Sequence, residues 1–419
     1  MTYKTATNSQ RIPLKDITLM IKRGITPKYT DVKGIEVINQ RCIRDSRINL
    51  ELVRLNDTDK RKISEEKYLQ KYDVLVNSTG VGTLGRVAQY LISEKTKRTV
   101  DSHVTIVRPI KNIDPIYFGY AIRNEEILIE SLGEGSTGQT ELSRHRLGEE
   151  IRINVPSSEE QKAIANILSS LDDKIEINNA IIANLEEQAQ AIFKSWFINF
   201  EPFQDEEFVE SEIGNIPRNW EVGQLGNSKL GELKSSGIED FEGEKIYIAT
   251  ADVEGTWINS ENTGVTYEDK PSRANMQPTP YSVWFAKMKD SRKLILVDNF
   301  DKYLLDNMIF STGFAGIQCN KLSVYYLWEF IKSNYFDEVK NQYSTGTTMQ
   351  AINNKNINQI LVIIPPQIVL SKFNSILHPI NNKISLLKRE NITLAEARDT
   401  LLPKLMSGEI RVEEATEVN

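Results

Sequence analysis

The sequence predicts an α+β chain built twice over: two domains of mixed short strands and helices, separated by two long antiparallel coiled-coil helices, with a pseudo-twofold internal repeat. Three observations carry this. INVPSSEEQKAIANILSSLDDKI at 153–175 is matched by IIPPQIVLSKFNSILHPINNKI at 363–384, and adding 209 to a residue number usually lands on its counterpart: Pro156 on Pro365, Leu168 on Leu377, Lys174 on Lys383, Ile175 on Ile384. The match reaches upstream from Tyr72 to Tyr281, and Ser136-Thr137-Gly138 corresponds to Ser344-Thr345-Gly346 with a slip of one residue. Solenoid repeats run to only ~20–50 residues, so a period this long means a duplicated domain. Within each copy, short β-branched runs broken by turn residues come first and a heptad-patterned helix follows.

In the first copy the strand-like runs include IEVINQRCI, DVLVNSTG and HVTIVRP. Asp114 and Pro115 then read as the cap and first residue of a helix through YFGYAIRNEEILIESL. The long helix starts after Pro156, where Ser157 or Ser158 supplies a cap and Glu159 and Glu160 place negative charge at the positive end of the helix dipole. Its seam runs through Ile164, Leu168, Leu171, Ile175, Asn178, Ile182, Leu185, Ala189, Ile192 and Trp196, spaced alternately four and three apart. The second long helix carries the same register at Phe373, Leu377, Ile380, Ile384, Leu387, Asn391, Leu394, Arg398, Leu401 and Leu405. It starts without an acidic turn, and Pro379 is expected to kink or break it about three turns in. Full antiparallel overlap of the two seams requires paired numbers that sum to 569, which sets Asn178 opposite Asn391 as a matched polar layer fixing the register.

Composition bounds the function. The 419 residues are 40% hydrophobic and 26% charged, ordinary for a globular chain with sizeable cores. No run approaches the roughly 18 apolar residues of a membrane span and MTYKTATNSQR lacks a signal-peptide core, so a cytoplasmic protein without membrane contact is expected. Cys42 and Cys319 sit in strand-like runs with no CxxC spacing, which suits buried free thiols, and a count of three histidines argues against a histidine-based metal site. The net charge of -7 is unevenly spread. Residues 1–155 are net basic, whereas 156–213 carry 3 Lys and Arg against 13 Asp and Glu. One part can therefore meet phosphates while its neighbour faces another partner, or simply presents a solvated acidic helix.

Several motifs imitate enzymes. Gly80, Gly82 and Gly85 in STGVGTLG spell GxGxxG after a strand, with Asp101 about twenty residues on. A dinucleotide fold needs a helix at the last glycine, and RVAQYLI instead gives way to the polar SEKTKR, so a strand-turn-strand hairpin is expected. Asp114-Pro115-Ile116-Tyr117 approaches the DPPY of amino-group methyltransferases but lacks the second proline, and the corresponding LSVYYLWEFIKSNYF has no trace of it. His103 and His145 stand apart from any nucleophile elbow and read as surface or core residues. GSTGQTEL and STGTTMQ look like phosphate-cradling turns without a P-loop lysine, and their amides could meet a DNA phosphate.

Taken together, the duplication, the heptad helices and the turn-rich β regions resemble the specificity subunit of type I restriction-modification systems. GSTGQTELSRHRLGEEIRINVPSSEEQKAIANILSSLDDKIEINN, with Pro156 and Glu160-Gln161, is similar to that family's junction between a target recognition domain and a conserved spacer helix. RGITPKY and DVLVNSTGVGTLGRVA resemble elements of the first recognition domain, and LLPKLMSGEIRV the end of the second spacer. The second junction departs from the pattern, with Val369 and Leu370 in place of the Glu-Gln pair.

The resemblance implies recognition domains at 1–155 and 206–364, spacer helices at 156–205 and 365–412, and a tail at 413–419. It implies a non-catalytic chain that reads the two halves of an interrupted target in double-stranded DNA. Two modification subunits carrying S-adenosylmethionine would dock on the spacers, and restriction subunits using ATP and magnesium would join them, leaving no cofactor and no metal in this chain. The alternatives are a two-domain coiled-coil scaffold for other proteins, and a methyltransferase that would itself bind S-adenosylmethionine. For DNA contact the expected donors are Lys22, Arg23, Thr26, Lys28 and Tyr29, with Ser78, Thr79 and Arg86, in the first domain. In the second they are Lys287, Lys289, Arg292 and Lys293, because forked or cationic donors suit guanine and phosphate.

Overall fold

In a computed structural model the described residues are 11–93, 96–135, 140–261, 263–346 and 350–412. The Ser136-Thr137-Gly138 repeat element, residues 347–349 within STGTTMQ, the first ten residues and the 413–419 tail lie outside them. The chain mixes helix and strand and divides into two units. Unit 1 takes the residues up to Ile177 together with those from Glu390 onward, and unit 2 is Asn178–Arg389.

Unit 1 contains strands β1 (Thr18–Arg23), β2 (Ile35–Ile38), β3 (Val74–Asn77), β4 (Val87–Gln89), β5 (Arg98–Val100) and β6 (Val104–Pro109). One antiparallel sheet has the order β1-β6-β3-β4, with Ile106 opposite both Lys22 and Leu75. A second sheet joins β5 to β2 in parallel, Arg98 opposite Glu36, and continues through Arg54–Asn56 to Tyr29–Thr30. Helix α1 (Pro115–Asn124) begins as expected, Asp114 Oδ1 accepting from the Ile116 and Tyr117 amides at 3.0 and 2.9 Å. Helix α2 (Ser158–Phe197) is capped by Ser157, whose Oγ accepts from the Glu160 amide at 3.2 Å.

Unit 2 repeats the plan with β7 (Gly231–Leu233), β8 (Lys245–Ile248), β9 (Ser282–Ala286), β10 (Leu294–Val297), β11 (Met308–Ser311) and β12 (Phe314–Cys319). Its larger sheet contains the order β7-β12-β9-β10, and its second sheet again holds one parallel pair, β8 with β11, Ile246 opposite Met308. Helix α3 (Val324–Lys332) stands where α1 does, and its Tyr326 hydroxyl donates to the Ile363 carbonyl at 2.7 Å. In unit 1 Tyr117 makes the equivalent bond to Asn154, at 2.9 Å. This one hydrogen bond recurs at an offset of 209 residues in both donor and acceptor.

Helix α4 (Gln367–Ser407) is continuous, so the break expected at Pro379 does not occur. Proline removes one donor. Buried Leu377 and Ile384 on either side hold the backbone helical through tertiary packing. Gly408, with φ +76°, terminates the helix, and the Ile410 amide returns to the Lys404 carbonyl at 3.1 Å.

Each unit's core joins sheet, short helix and parts of both long helices. In unit 1 Val74, Val76, Tyr117 and Phe118 pack in one cluster with Ile164, Leu168, Leu402 and Leu405. In unit 2 Val283, Phe285, Tyr325 and Leu327 pack with Phe193, Phe197, Phe373 and Leu377. The helix segments run in opposite directions within each unit. Asp172 meets Arg398 and Lys174 meets Glu390 in the first, while Glu186 meets Lys388 and Trp196 meets Phe373 in the second. Towards the end of α2 the buried positions become Ala189, Phe193 and Phe197, and the expected seam residues Ile192 and Trp196 are only half-buried. A straight helix at 3.6 residues per turn drifts away from a 3.5-residue repeat, which accounts for the slip.

Both cysteines are free and buried, Cys319 at the end of β12 and Cys42 in a one-turn 3-10 segment instead of a strand. Among the described residues no helix is long and apolar enough to cross a membrane.

Candidate nucleic-acid interface

The glycine-rich STGVGTLG is the turn of an antiparallel hairpin, β3 to β4, with Val76 opposite Val87. No helix starts at Gly85, so the dinucleotide reading fails on topology. At Gly85, φ is +90° and a Cβ would lie 2.8 Å from the Glu130 Cα, leaving no room for another residue. The loop is braced from within. Arg86 donates to the Gly82 carbonyl at 2.7 Å, and Thr83 Oγ1 donates to the Thr79 carbonyl at 3.1 Å. Thr79 Oγ1 meets His103 Nδ1 at 2.6 Å. His103 is placed in turn by its amide on Asp101 at 2.9 Å, and burial pushes that carboxyl above its ordinary range.

A second segment closes against this hairpin. The Leu142 amide donates to the Ser78 carbonyl at 2.8 Å, and Arg23 reaches the Leu142 carbonyl at 2.8 Å and Glu141 at 2.6 Å. Arg23, Ser78, Thr79 and Arg86 thus share one edge of unit 1. Their availability differs. Ser78 is fully buried, its hydroxyl on Thr105 at 2.5 Å, so it ties strand to strand and offers nothing to solvent. Lys22 pairs with Glu66 at 2.6 Å. Thr26 and Lys28 are exposed in the segment after β1, and Tyr29, exposed at the start of the strand Tyr29–Thr30, has the Arg54 guanidinium 3.6 Å over its ring. The sequence reading missed Arg54, Gln40 and His103; Gln40 accepts from Thr79 at 3.4 Å and Thr83 at 3.5 Å. None carried a local signal, because each acts across the fold and not within a motif.

Unit 2 builds the same edge from other residues. The β9–β10 turn, 287–293, pairs with the segment around Ala351, the Ile352 amide donating to the Lys287 carbonyl at 2.9 Å. Arg292 reaches Asn334 at 2.5 Å and Asp337 at 3.5 Å, and Lys293 donates to the Thr250 carbonyl at 2.6 Å. Lys289 projects into solvent. Burial pushes the Lys287 ammonium below the usual lysine range.

These edges present cations, hydroxyls and turn amides, the groups that meet phosphates and base edges. They do not assemble a nucleophile and base. Asp114 is spent as a helix cap and the Tyr117 ring is 1% exposed, so the DPPY-like segment has no free face for a base. No cluster of metal-ligand residues occurs among the described residues. Asn178 and Asn391 are both buried in the long helices.

The family described as type I restriction modification DNA specificity domain matches residues 8–187. The MjaIX type I restriction enzyme specificity subunit of Methanocaldococcus jannaschii is 31% identical over 310 residues, covering 71% of this chain and 69% of its own length. The HindI specificity subunit of Haemophilus influenzae is 24% identical over 405 residues, covering 82% and 88%. In fold, the chain is similar to the crystal structure of a type I restriction-modification S subunit from M. genitalium, with TM-score 0.54, 17% identity and coverage of 96% and 98%.

Proposed function

Because the chain belongs to the type I restriction enzyme specificity subunits, a DNA-specificity family and not a catalytic one, we propose that it reads a bipartite, interrupted target in double-stranded DNA. Each unit reads one half. The observation that carries this is the duplicated edge: a hairpin turn, 78–86 or 287–293, held against a following segment at Leu142 or Ile352, with cationic and hydroxyl side chains around it. The two edges share a backbone plan and differ in side chains, as two half-targets of different sequence require.

In this reading Arg23, Thr26, Lys28, Tyr29, Thr79 and Arg86 serve one half, and Lys287, Lys289, Arg292 and Lys293 the other. The long helices act as antiparallel coiled-coil spacers related by a pseudo-twofold axis, with Asn178 and Asn391 setting their register. Two modification subunits dock there, and restriction subunits join through them. S-adenosylmethionine, ATP and magnesium belong to those partners. The acidic 156–213 stretch suits a protein-facing role, since negative charge opposes phosphate.

Exchange of residues 1–150 for those of a relative, followed by methylome sequencing of the host, tests the proposal. One half of the methylated motif should change and the other half and the gap should stay. A motif changed in both halves, or in neither, refutes it. Equilibrium dialysis with S-adenosylmethionine separates the methyltransferase alternative, which requires retention by this chain alone.

A further inference from the structure

One backbone turn underlies the hairpin edge in both units. In unit 1 the Ser78 amide donates to the His103 carbonyl at 2.8 Å, and the His103 amide donates to Asp101 Oδ1 at 2.9 Å. In unit 2 the Lys287 amide donates to the Gly313 carbonyl at 2.9 Å, and the Gly313 amide donates to Ser311 Oγ at 3.1 Å. The next residue of each hairpin is matched as well, Thr79 bridging Glu141 and Met288 bridging Ala351. His103 therefore corresponds to Gly313, and Thr79 to Met288.

The side chains at these matched positions share nothing. In unit 1 Thr79 Oγ1 meets His103 Nδ1 at 2.6 Å, whereas unit 2 has neither ring nor hydroxyl there. Unit 2 holds the same turn without such a bond, so the bond is not what the turn needs in order to form. What it does fix is the direction of the ring. The His103 side chain is exposed, and among the described residues its Nε2 has no hydrogen-bond partner. A neutral imidazole carries one N–H and one lone pair, so with Nδ1 engaged either tautomer leaves Nε2 one hydrogen bond to make. Ordering an exposed side chain costs rotamer freedom that solvent alone does not repay. An aimed polar atom is what base readout requires, because base edges differ in the placement of their donors and acceptors, while phosphate contacts carry no sequence information.

We propose that His103 is a specificity-determining residue of unit 1. Its Nε2 hydrogen-bonds one base edge of the half-target that this unit reads, and Thr79 is the positioning residue that aims the ring. This rests on the DNA-reading function above. Gly313 and Met288 give unit 2 no counterpart, so the two half-targets differ in whether a hydrogen bond reads the base at this place.

The test uses the full chain assembled with its modification subunits, as wild type, His103→Ala and Thr79→Val. Once methylome sequencing has given the motif, binding is measured to the cognate duplex and to duplexes carrying one substituted base pair each. In His103→Ala the preference at one position of the unit 1 half-target should fall by about fivefold or more, with every other position unchanged. Thr79→Val should weaken the preference at that same position and at no other. The slope of log K against log salt should stay as in wild type, since no phosphate contact is lost, and the Tm of His103→Ala without DNA should match wild type. Unchanged preferences overturn the assignment. So does an equal loss on all duplexes with a shallower salt slope, which would mark a phosphate contact, a lowered Tm of His103→Ala, which would mark a structural role, or an effect of Thr79→Val at a different position. If wild type itself does not prefer the cognate duplex, the DNA-reading function fails first and His103 with it.

Discussion

Lys388 joins the two helix segments of unit 2 to the hairpin 253–258. Its ammonium donates to the Thr256 carbonyl at 2.9 Å, lies 3.7 Å from Glu186 and sits 4.5 Å from the Trp257 ring centroid. Burial, outweighing Glu186, pushes its pKa down to about 8. Between about 8 and the unfolded value of 10.5 the unfolded chain keeps a proton that the folded chain has released, so stability rises with pH across that window. Relative to Lys388→Met, wild type should gain on the order of 2–3 kcal/mol from pH 8 to 10.5 in urea denaturation. A flat difference would show that the charge is not buried. In unit 1, Asp172 accepts from Tyr120 at 2.5 Å and pairs with Arg398 at 2.6 Å and Arg123 at 3.5 Å. Asp172→Ala leaves Arg123 and Arg398 to share Asp399 alone and should cost about 1–3 kcal/mol, whereas Tyr120→Phe should cost only about 1. Neither network was legible in the sequence. Asp172 and Arg398 are 226 residues apart, and a heptad pattern names an apolar seam without saying which polar residue will stand beside it.

At the scale of elements the sequence was more informative, because caps, turns and periodicity are local. The Asp114 cap, the Ser157 cap and the hairpin at STGVGTLG formed where their residue types placed them. The family-like Glu-Gln pair was visible as a motif, but its reason was not. Gln161 is 2% exposed, accepts from the Asp114 amide at 2.9 Å and donates to the Pro156 carbonyl at 2.8 Å, welding α1 to the start of α2. Leu370, its counterpart, is 4% exposed and packs in the unit 2 core, so the departure at the second junction exchanges a polar weld for an apolar one. At Pro379 the helix does not break, since packing on both sides outweighs one missing hydrogen bond. That bond is still lost, and Pro379→Ala should stabilise unit 2 by about 1–3 kcal/mol in chemical denaturation. A neutral or destabilising result would mean that the proline's own packing matters more than its backbone cost.

For the molecule as a whole, one offset aligns prolines, lysines and leucines alike in the sequence, whereas the sharing of the long helices between the two compact units left no such mark. A linear reading assigns each long helix to one segment, but both helices are shared: residues 158–177 and 390–407 belong to unit 1, and 178–197 and 367–389 to unit 2. Periodicity identifies a buried stripe and is silent about which sheet covers it. Unit 1 needs residues from both helices, with Leu402, Leu405 and Met406 in its core and the Met406 carbonyl accepting from Asn154 at 2.7 Å. A ribosome delivers these parts far apart in time. The polypeptide up to Ile177 emerges first yet lacks a wall of its own core until some 210 residues later, while Asn178–Arg389 comes out as one uninterrupted stretch. The domain translated second should therefore mature first. A chain stopped after Arg389 should keep a protease-resistant body from unit 2 and lose protection across residues 11–153, so that a truncation inside α4 unmakes a unit whose other residues lie more than two hundred positions upstream.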